Sequence, residues 1–385
     1  MEQKGNKDVL KNIMWSLVTI VIAVLTITAI TSQAKGFSIN DAWIMIKHGK
    51  KGFMALAMVS VILYIYLEGV AIKYILKHIS VDVNHRQAFL YSAADIYFSA
   101  ITPSASGGQP ASFYFMRKDG VSFSKATMCL VLNLLMYSFA IDFVAVLSFV
   151  VRPDIFNSFN DFGKVLIVIG FVIMTSLTLF FFMLLKEPKW MDKLGLWGIS
   201  ILGKLKIIRK PEKKRVKWEE TVKKYSTVSD LALGKGKMLF VAFLINLAQR
   251  VTQISITVFV YLGLGGKFGH MGDIWFSQAF AFVGSNCAPI PGAQGVVDYL
   301  MIQGFSQFMS EPVAVHTELL SRGMSFYICI FISLITIVIG FWIIGVCRSI
   351  IDQGYASFVQ NSGTCCSRLL YFLDWGRYTW SYVDL

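Results

Sequence analysis

Charge is scarce in this chain. Only 15% of its 385 residues are Asp, Glu, Lys or Arg, against about 25% in a soluble domain. That shortage excludes an ordinary water-soluble fold. Acidic residues are the scarcer sign, 23 against 36 Lys and Arg. Histidine is rarer still, and His48, His78, His85, His270 and His316 are scattered with no two at metal-ligand spacing on one helix face. The six cysteines, at 129, 287, 329, 347, 365 and 366, fit neither zinc ligation nor a disulfide framework. The first four stand in or beside apolar stretches and read as packing residues. Cys365-Cys366 reads as two ordinary thiols, with acylation near a membrane surface as the alternative. No Walker loop is present, which argues against direct ATP coupling. Neither a Ser-His-Asp arrangement nor a nucleic-acid motif can be argued. The sequence therefore predicts no enzyme, no cofactor and no nucleic-acid partner.

Apolar residues fill the space that charge leaves. The chain is 55% hydrophobic with mean hydropathy +0.60, and its apolar runs approach the ~20 residues a membrane span needs. The N-terminus does not read as a cleavable signal, because its apolar run is long and no small-residue cleavage site stands out. Six full spans are expected, at Ile13–Ile30, Phe53–Leu76, Ala126–Val151, Val165–Leu185, Met238–Leu264 and Met324–Cys347. Basic residues gather on the cytoplasmic side of such proteins. Lys4, Lys7 and Lys11 put the N-terminus there, and so do the 15 Lys/Arg against 6 Asp/Glu of residues 186–237. That insert carries Trp190, Leu194, Trp197, Ile201, Leu205 and Ile208 at helical spacing, as in a helix lying at the lipid interface; a solvated basic linker is the alternative. Residues 351–385 read as a cytoplasmic tail whose aromatic part rests on the membrane surface.

Proline is also scarce, and four of the eight stand in two short stretches. Thr102-Pro103-Ser104-Ala105-Ser106-Gly107-Gly108-Gln109-Pro110 interrupts one apolar region, and Pro289-Ile290-Pro291-Gly292-Ala293-Gln294-Gly295 interrupts another. No helix runs through either, since proline removes a backbone donor and glycine adds slack. Both contain proline and then Gly-small-Gln. Broken backbone at membrane depth needs protein or a wet cavity around it. Paired breaks in two halves point to a transport site. The flanks 88–116 and 274–310 read as helical hairpins, the first reached from the cytoplasm and the second from outside. The order is span, span, hairpin, span, repeated with opposite orientation. The expected architecture is an all-α polytopic membrane protein: six spans and two re-entrant hairpins in an inverted repeat, 1–161 and 162–350. The alternative is that each hairpin is two short or tilted spans.

Several polar residues stand where such a protein has little use for them. Arg250 is mid-span, where a charge costs at least ~2.5–3.5 kcal/mol, and Asn246, Gln249 and Gln253 share its stripe. Two readings stand: a ligand for lipid phosphate, whose oxygens match the guanidinium fork, or a buried ion pair with Glu68, Asp95 or Asp142. Ser104, Ser106, Gln109, Asn286 and Gln294 line the breaks, where helix N-termini favour an anionic group. Asp95 reads as a contact for a cationic headgroup or as the partner of a buried base. Asp298 reads as a helix cap or a transport residue. Arg322, with Glu318, reads as a headgroup ligand or an interfacial anchor.

Thr102-Pro103 through Gly107-Gly108-Gln109-Pro110, the run Pro291-Gly292-x-x-Gly295-Val296-Val297-Asp298, and Leu320-Ser321-Arg322 with Phe326-Tyr327 form an ordered set. Together they resemble the transmembrane domain of the lysylphosphatidylglycerol synthetase/flippase family, the multiple peptide resistance factors, over roughly residues 10–350. Some members have Glu where Gln109 stands, Glu is common at the place of Asp298, and Glu-Arg often stands where this chain has Leu132-Asn133. The soluble aminoacyl-transferase domain has no counterpart here. The resemblance implies a flippase for an anionic or aminoacylated phospholipid, or for a lipid-linked carrier, and a link to antimicrobial peptide resistance. A non-transporting partner subunit of a lipid-modifying enzyme is the alternative, and homo-oligomerisation stays open.

Overall fold

In a computed structural model of the chain, the described residues are 49–187, 234–286 and 288–352, with isolated residues between 189 and 218; side chains are described as far as Phe341. Residues 1–51 form a unit of their own, and residues 52–385 form a second. The expected first span, most of the interfacial stretch 190–208 and the aromatic tail lie outside the described residues. Among the described residues every regular element is helical.

The described helices begin with α1, Lys51–His78. Next come α2, His85–Ile101, and α3, Gly108–Lys118, joined by a 3₁₀ turn at Pro103–Ala105. Then follow α4, Phe123–Val151, the short α5, Pro153–Ser158, and α6, Asp161–Lys186. Beyond the insert lie α7, Gly236–Gly263, and a second pair, α8, Met271–Ser285, and α9, Val296–Phe305, joined by a 3₁₀ turn at Pro291–Ala293. The described part ends with α10, Glu311–Arg322, a π-helical turn at Gly323–Ile328, and α11, Cys329–Asp352.

Five helical stretches are long and apolar enough to cross a membrane: Lys51–His78, Phe123–Val151, Asp161–Met183, Gly236–Gly263 and Glu311–Phe341. Their outward faces are apolar. On α6, Val165, Val168, Ile169, Val172 and Leu179 are all exposed, as suits helices solvated by lipid. The last stretch departs from the sequence expectation, which began it at Met324. Charged Glu311, Glu318 and Arg322 look like a loop in a hydropathy scan. In the structure they lie on one helix that continues through the π turn, with Glu318 buried.

α2 and α3 pack as an antiparallel hairpin. Near its feet Tyr91 Oη donates to Asp119 Oδ2 at 2.5 Å, and near its tip Gln109 Nε2 donates to Asp95 Oδ2 at 2.6 Å. Its first helix starts with a capping box, Asn84 accepting from the Gln87 amide at 2.8 Å and Gln87 accepting from the Asn84 amide at 3.0 Å. α8 and α9 form the other hairpin, with Gly304 against Ser277 and Gly284 against Leu300. The feet of the first hairpin lie beside the His78 end of α1: Lys125 Nζ donates to Ser80 O at 3.1 Å, and Lys235 Nζ to His78 O at 2.6 Å. The feet of the second lie at the other end of the bundle. There Arg152 pairs with Asp273, the Phe53 and Phe268 rings sit 5.8 Å apart, and those of His270 and Phe308 5.7 Å apart. Between these ends the two 3₁₀ turns pack against each other.

Candidate functional site

The two turns are built alike. Thr102 and Ile290 precede proline and are extended, at φ −111°, ψ 145° and φ −106°, ψ 141°, because proline crowds the helical region of the residue before it. The next two positions turn left-handed: Ser104 at φ 51° and Ala105 at φ 52°, Gly292 at φ 62° and Ala293 at φ 50°. Ala105 N donates to Thr102 O at 3.2 Å and Ala293 N to Ile290 O at 2.9 Å. The correspondence thus starts from Pro103 and Pro291 and sets Ser104 opposite Gly292. It does not run through Gly-small-Gln: Gln109 lies inside α3, whereas Gln294 precedes α9. Left-handed residues other than glycine carry strain of roughly 1–2 kcal/mol each. Such strain persists where the surroundings over-determine it.

Behind the first turn lies a buried polar cluster. Arg250, 2% exposed, comes from α7. Its Nη1 donates to Gln253 Oε1 at 2.5 Å and its Nη2 to Tyr64 Oη at 3.5 Å, while Nε has no hydrogen-bond partner. The guanidinium carbon stands 4.4 Å from the Tyr137 ring centroid, 5.2 Å from Tyr64 and 5.5 Å from Phe282. A desolvated cation over aromatic faces gains about 2 kcal/mol or more. Among the described residues no direct ion pair joins Arg250 to an acid. Glu68 of α1 and Asp95 of α2 are buried too. Gln249 Nε2 donates to Glu68 Oε2 at 3.1 Å, and Ser99 Oγ to Asp95 Oδ1 at 3.1 Å. Gly108 makes this approach possible: a Cβ there would stand 2.0 Å from Asp95 Oδ1 and from Ser99 Oγ.

A second cluster lies against the second turn. Arg322 Nε pairs with Asp298 Oδ1 at 3.0 Å, and its Nη2 donates to the turn carbonyl of Gly292 at 3.0 Å. Its guanidinium carbon stands 4.6 Å from the Phe326 ring centroid. The buried Glu318 stands on α10 one turn before Arg322. Asp298 also caps α9, its Oδ2 accepting from Gly295 N at 2.9 Å. A π turn follows Arg322 directly; such turns are frequent at functional sites.

The residues singled out from the sequence thus separate into groups. Glu68, Asp95, Gln109, Arg250 and Gln253 gather at the first cluster, where Gln109 Oε1 is buried without a partner. Asp298 and Arg322 gather at the second, where Arg322 holds the turn carbonyl of Gly292. Asp142 is elsewhere: Thr178 Oγ1 of α6 donates to it at 2.6 Å and Thr175 Oγ1 at 3.2 Å. Asn286 is spent on its own helix, donating to Phe282 O at 3.1 Å and Val283 O at 3.2 Å. Ser104 and Ser106 are exposed at the first turn, and Gln294 Oε1 is buried without a partner at the second. Sequence reasoning missed Tyr64, Tyr137, Phe282 and Ser99. Tyr64 carried a signal, because it stands four residues before Glu68 on the same helix face. The others are brought in by packing alone.

Long apolar helices, two interrupted hairpins whose turns meet, and an arginine buried beside them define a polytopic helical membrane protein with a polar centre. Among curated proteins none matches the chain. The family model described as the lysylphosphatidylglycerol synthase TM region matches residues 13–333. The chain belongs to that family, which places it among multi-pass membrane proteins concerned with lipid.

Proposed function

We propose that this protein is a lipid translocase, moving an anionic or aminoacylated phospholipid, or a lipid-linked carrier, between bilayer leaflets. The observation that carries the reading is the junction of the two turns beside Arg250, a guanidinium held by neutral partners and aromatic rings with one N–H unspent. In this reading the hairpins re-enter the bilayer from opposite faces, each the third element of one half of an inverted repeat, 1–161 and 162–350. Both termini and the basic insert 186–237 are cytoplasmic. The headgroup crosses along the polar seam between the turns while its tails stay in lipid, and the phosphate meets Arg250 on the way. The protein itself makes and breaks no covalent bond.

The test is a headgroup-accessibility assay in proteoliposomes that contain phosphatidylglycerol with a reporter on its headgroup. Wild-type protein should expose inner-leaflet lipid to an outside quencher, and folded Arg250→Ala should not. If the wild type moves no lipid, the reading fails, and a partner subunit of a lipid-modifying enzyme takes its place.

A further inference from the structure

We propose that the headgroup carried by this protein is a hydroxylated phosphodiester, a phosphate bearing glycerol or a sugar, whose O–H groups fill buried amide acceptors around Arg250. The inference rests on the translocase reading and narrows its substrate, setting the aminoacylated headgroup aside.

One face of α7 supplies most of the groups. Asn246, Gln249, Arg250 and Gln253 stand at i, i+3, i+4 and i+7, so they share a face, and the first three are buried. That face meets α1 and α4. Arg250 Nη2 donates to Tyr64 Oη on α1, and Gln249 Nε2 donates to Glu68 one turn further along. Asn246 Nδ2 donates to Asn133 Oδ1 on α4 at 3.2 Å. Asn133 stands one turn before Tyr137, the ring under the guanidinium. Hydrogen bonds and ring contacts thus tie the two amides and the guanidinium into one cluster.

Each amide has its nitrogen spent and its oxygen free. Asn246 Nδ2 also donates to the backbone carbonyl of Ala242 at 3.0 Å. Gln249 Nε2 faces Glu68 Oε2 at 3.1 Å, and Gln109 Nε2, near the tip of the first hairpin, faces Asp95 Oδ2 at 2.6 Å. Carbonyl and carboxylate oxygens accept, so the nitrogens must face them and the amides cannot turn over. That leaves Asn246 Oδ1, Gln249 Oε1 and Gln109 Oε1 buried with no hydrogen-bond partner among the described residues. Gln294 Oε1 is in the same condition at the second turn, which packs against the first turn and against α2. Buried polar atoms are nearly always hydrogen-bonded, so these acceptors call for donors that a ligand brings.

Two kinds of group complement this site. A phosphodiester oxygen matches the unspent Nε–H of Arg250 and gives the guanidinium an anion. Hydroxyl groups donate to the amide oxygens and bring no charge. An ammonium group would also donate, but it would set a second cation beside Arg250, and like charges side by side are costly. The carboxylate oxygens that would suit it, Glu68 Oε2 and both oxygens of Asp95, already accept from Gln249, Ser99 and Gln109. The acceptors left over are neutral amides, which fit a polyol.

The experiment is titration calorimetry on the full chain in detergent with four short-chain lipids that share one phosphodiester. Phosphatidylmethanol has no donor on its headgroup, phosphatidylglycerol and phosphatidylinositol carry hydroxyls, and phosphatidylethanolamine carries an ammonium. The expected result is affinity about tenfold higher for at least one polyol lipid than for phosphatidylmethanol, with phosphatidylethanolamine no tighter than phosphatidylmethanol. The tighter of the two polyols tells glycerol from a sugar-like ring. Gln249→Met removes one amide oxygen at nearly constant volume and should bring the polyol preference toward one. If that variant does not fold, the wild-type ratios decide by themselves. Equal affinity for the polyol lipids and phosphatidylmethanol overturns the inference and leaves the translocase reading standing on the phosphate. Tightest binding of phosphatidylethanolamine overturns it in favour of an ammonium headgroup. Binding of none of the four overturns the phosphate reading, and the inference falls with it.

Discussion

The two breaks carry the same kit and use it differently. Each has two acids, one arginine and an aromatic ring under the guanidinium: Glu68, Asp95, Arg250 and Tyr137 at the first, Asp298, Glu318, Arg322 and Phe326 at the second. At the second break the cation is committed. Arg322 pairs with Asp298 and holds the carbonyl of Gly292, so it fastens the turn to the last long helix. At the first break Arg250 hydrogen-bonds, among the described residues, to the neutral Gln253 and Tyr64, and the turn is held by Thr102, whose Oγ1 accepts from Gly107 N at 2.8 Å. Composition alone would call the two sites equivalent. Their wiring makes one a fastening and leaves the other guanidinium free for a ligand.

The largest effect that tests this contrast is expected from removing the cations. Arg250→Ala forfeits the contacts of a buried cation with three aromatic rings, about 2 kcal/mol or more, and its charged hydrogen bond to Gln253, about 1.5–3 kcal/mol. Arg250→Lys keeps the charge without the fork. It should preserve the fold and move lipid more slowly than wild type. Arg322→Ala, at a site where the side chains of Arg322 and Asp298 are 12% and 33% exposed, should cost less, about 1.5–3 kcal/mol. Thermal unfolding in detergent ranks the three, and lipid movement separates the roles: movement lost in folded Arg322→Ala but kept in Arg250→Ala would reverse the assignment.

Next come the two close approaches. Gly108→Ala and Gly292→Ala each overpack, at about 1–3 kcal/mol. Gly108 should be the costlier, because its new Cβ would also stand 2.6 Å from the backbone oxygen of Asp95. At Gly292 the obstacle is the Phe326 ring at 2.3 Å, a side chain that can rotate. Gly292→Ala combined with Phe326→Leu should therefore recover the overpacking but keep the roughly 1–2 kcal/mol of left-handed strain, whereas no single side-chain change rescues Gly108→Ala. A smaller and opposite effect is expected from Ser104→Gly, which gives the first turn the residue that the second already has. Relief of its left-handed backbone should stabilise the protein by about 1 kcal/mol, read as a raised unfolding temperature.

The smallest effect concerns the foot of the second hairpin. Burial there pushes the Asp273 carboxyl up, but hydrogen bonds from Arg152 and His270 outweigh it and hold the group below the ordinary 3.8. A carboxyl depressed in the folded state adds stability above its unfolded pKa and loses it as pH falls through the folded value. The contribution should be full above about pH 5 and should fade below pH 4. Screening limits it to less than about 1 kcal/mol. Asp273→Asn should remove this step from the acid unfolding profile, and an unchanged profile would show that the pair does not hold the hairpin.

Much of this could be read from the residues in order. Hydropathy marked five of the described long helices, because a bilayer imposes length and apolarity on each span separately. Pro103 and Pro291 marked the breaks, because proline acts on its own backbone and on the residue before it. Arg250 stood out because a charge in an apolar run is rare on any scale. What pairs with what was not legible in the same way. Glu68, Asp95 and Arg250 lie on three different helices, and only packing decides that Gln249 meets Glu68 and Gln109 meets Asp95 while the arginine turns to Tyr137. The same holds for Arg322. Read along the chain it sat at the edge of a span, yet the continuous helix from Glu311 carries it to the turn at Gly292. Asp142 shows the converse, since an acid as conspicuous as Asp95 is satisfied by two threonines of α6. Local backbone preference and partition into lipid act residue by residue, so sequence determines them. The balance of buried charge is a sum over neighbours, and neighbours are chosen by the tertiary fold.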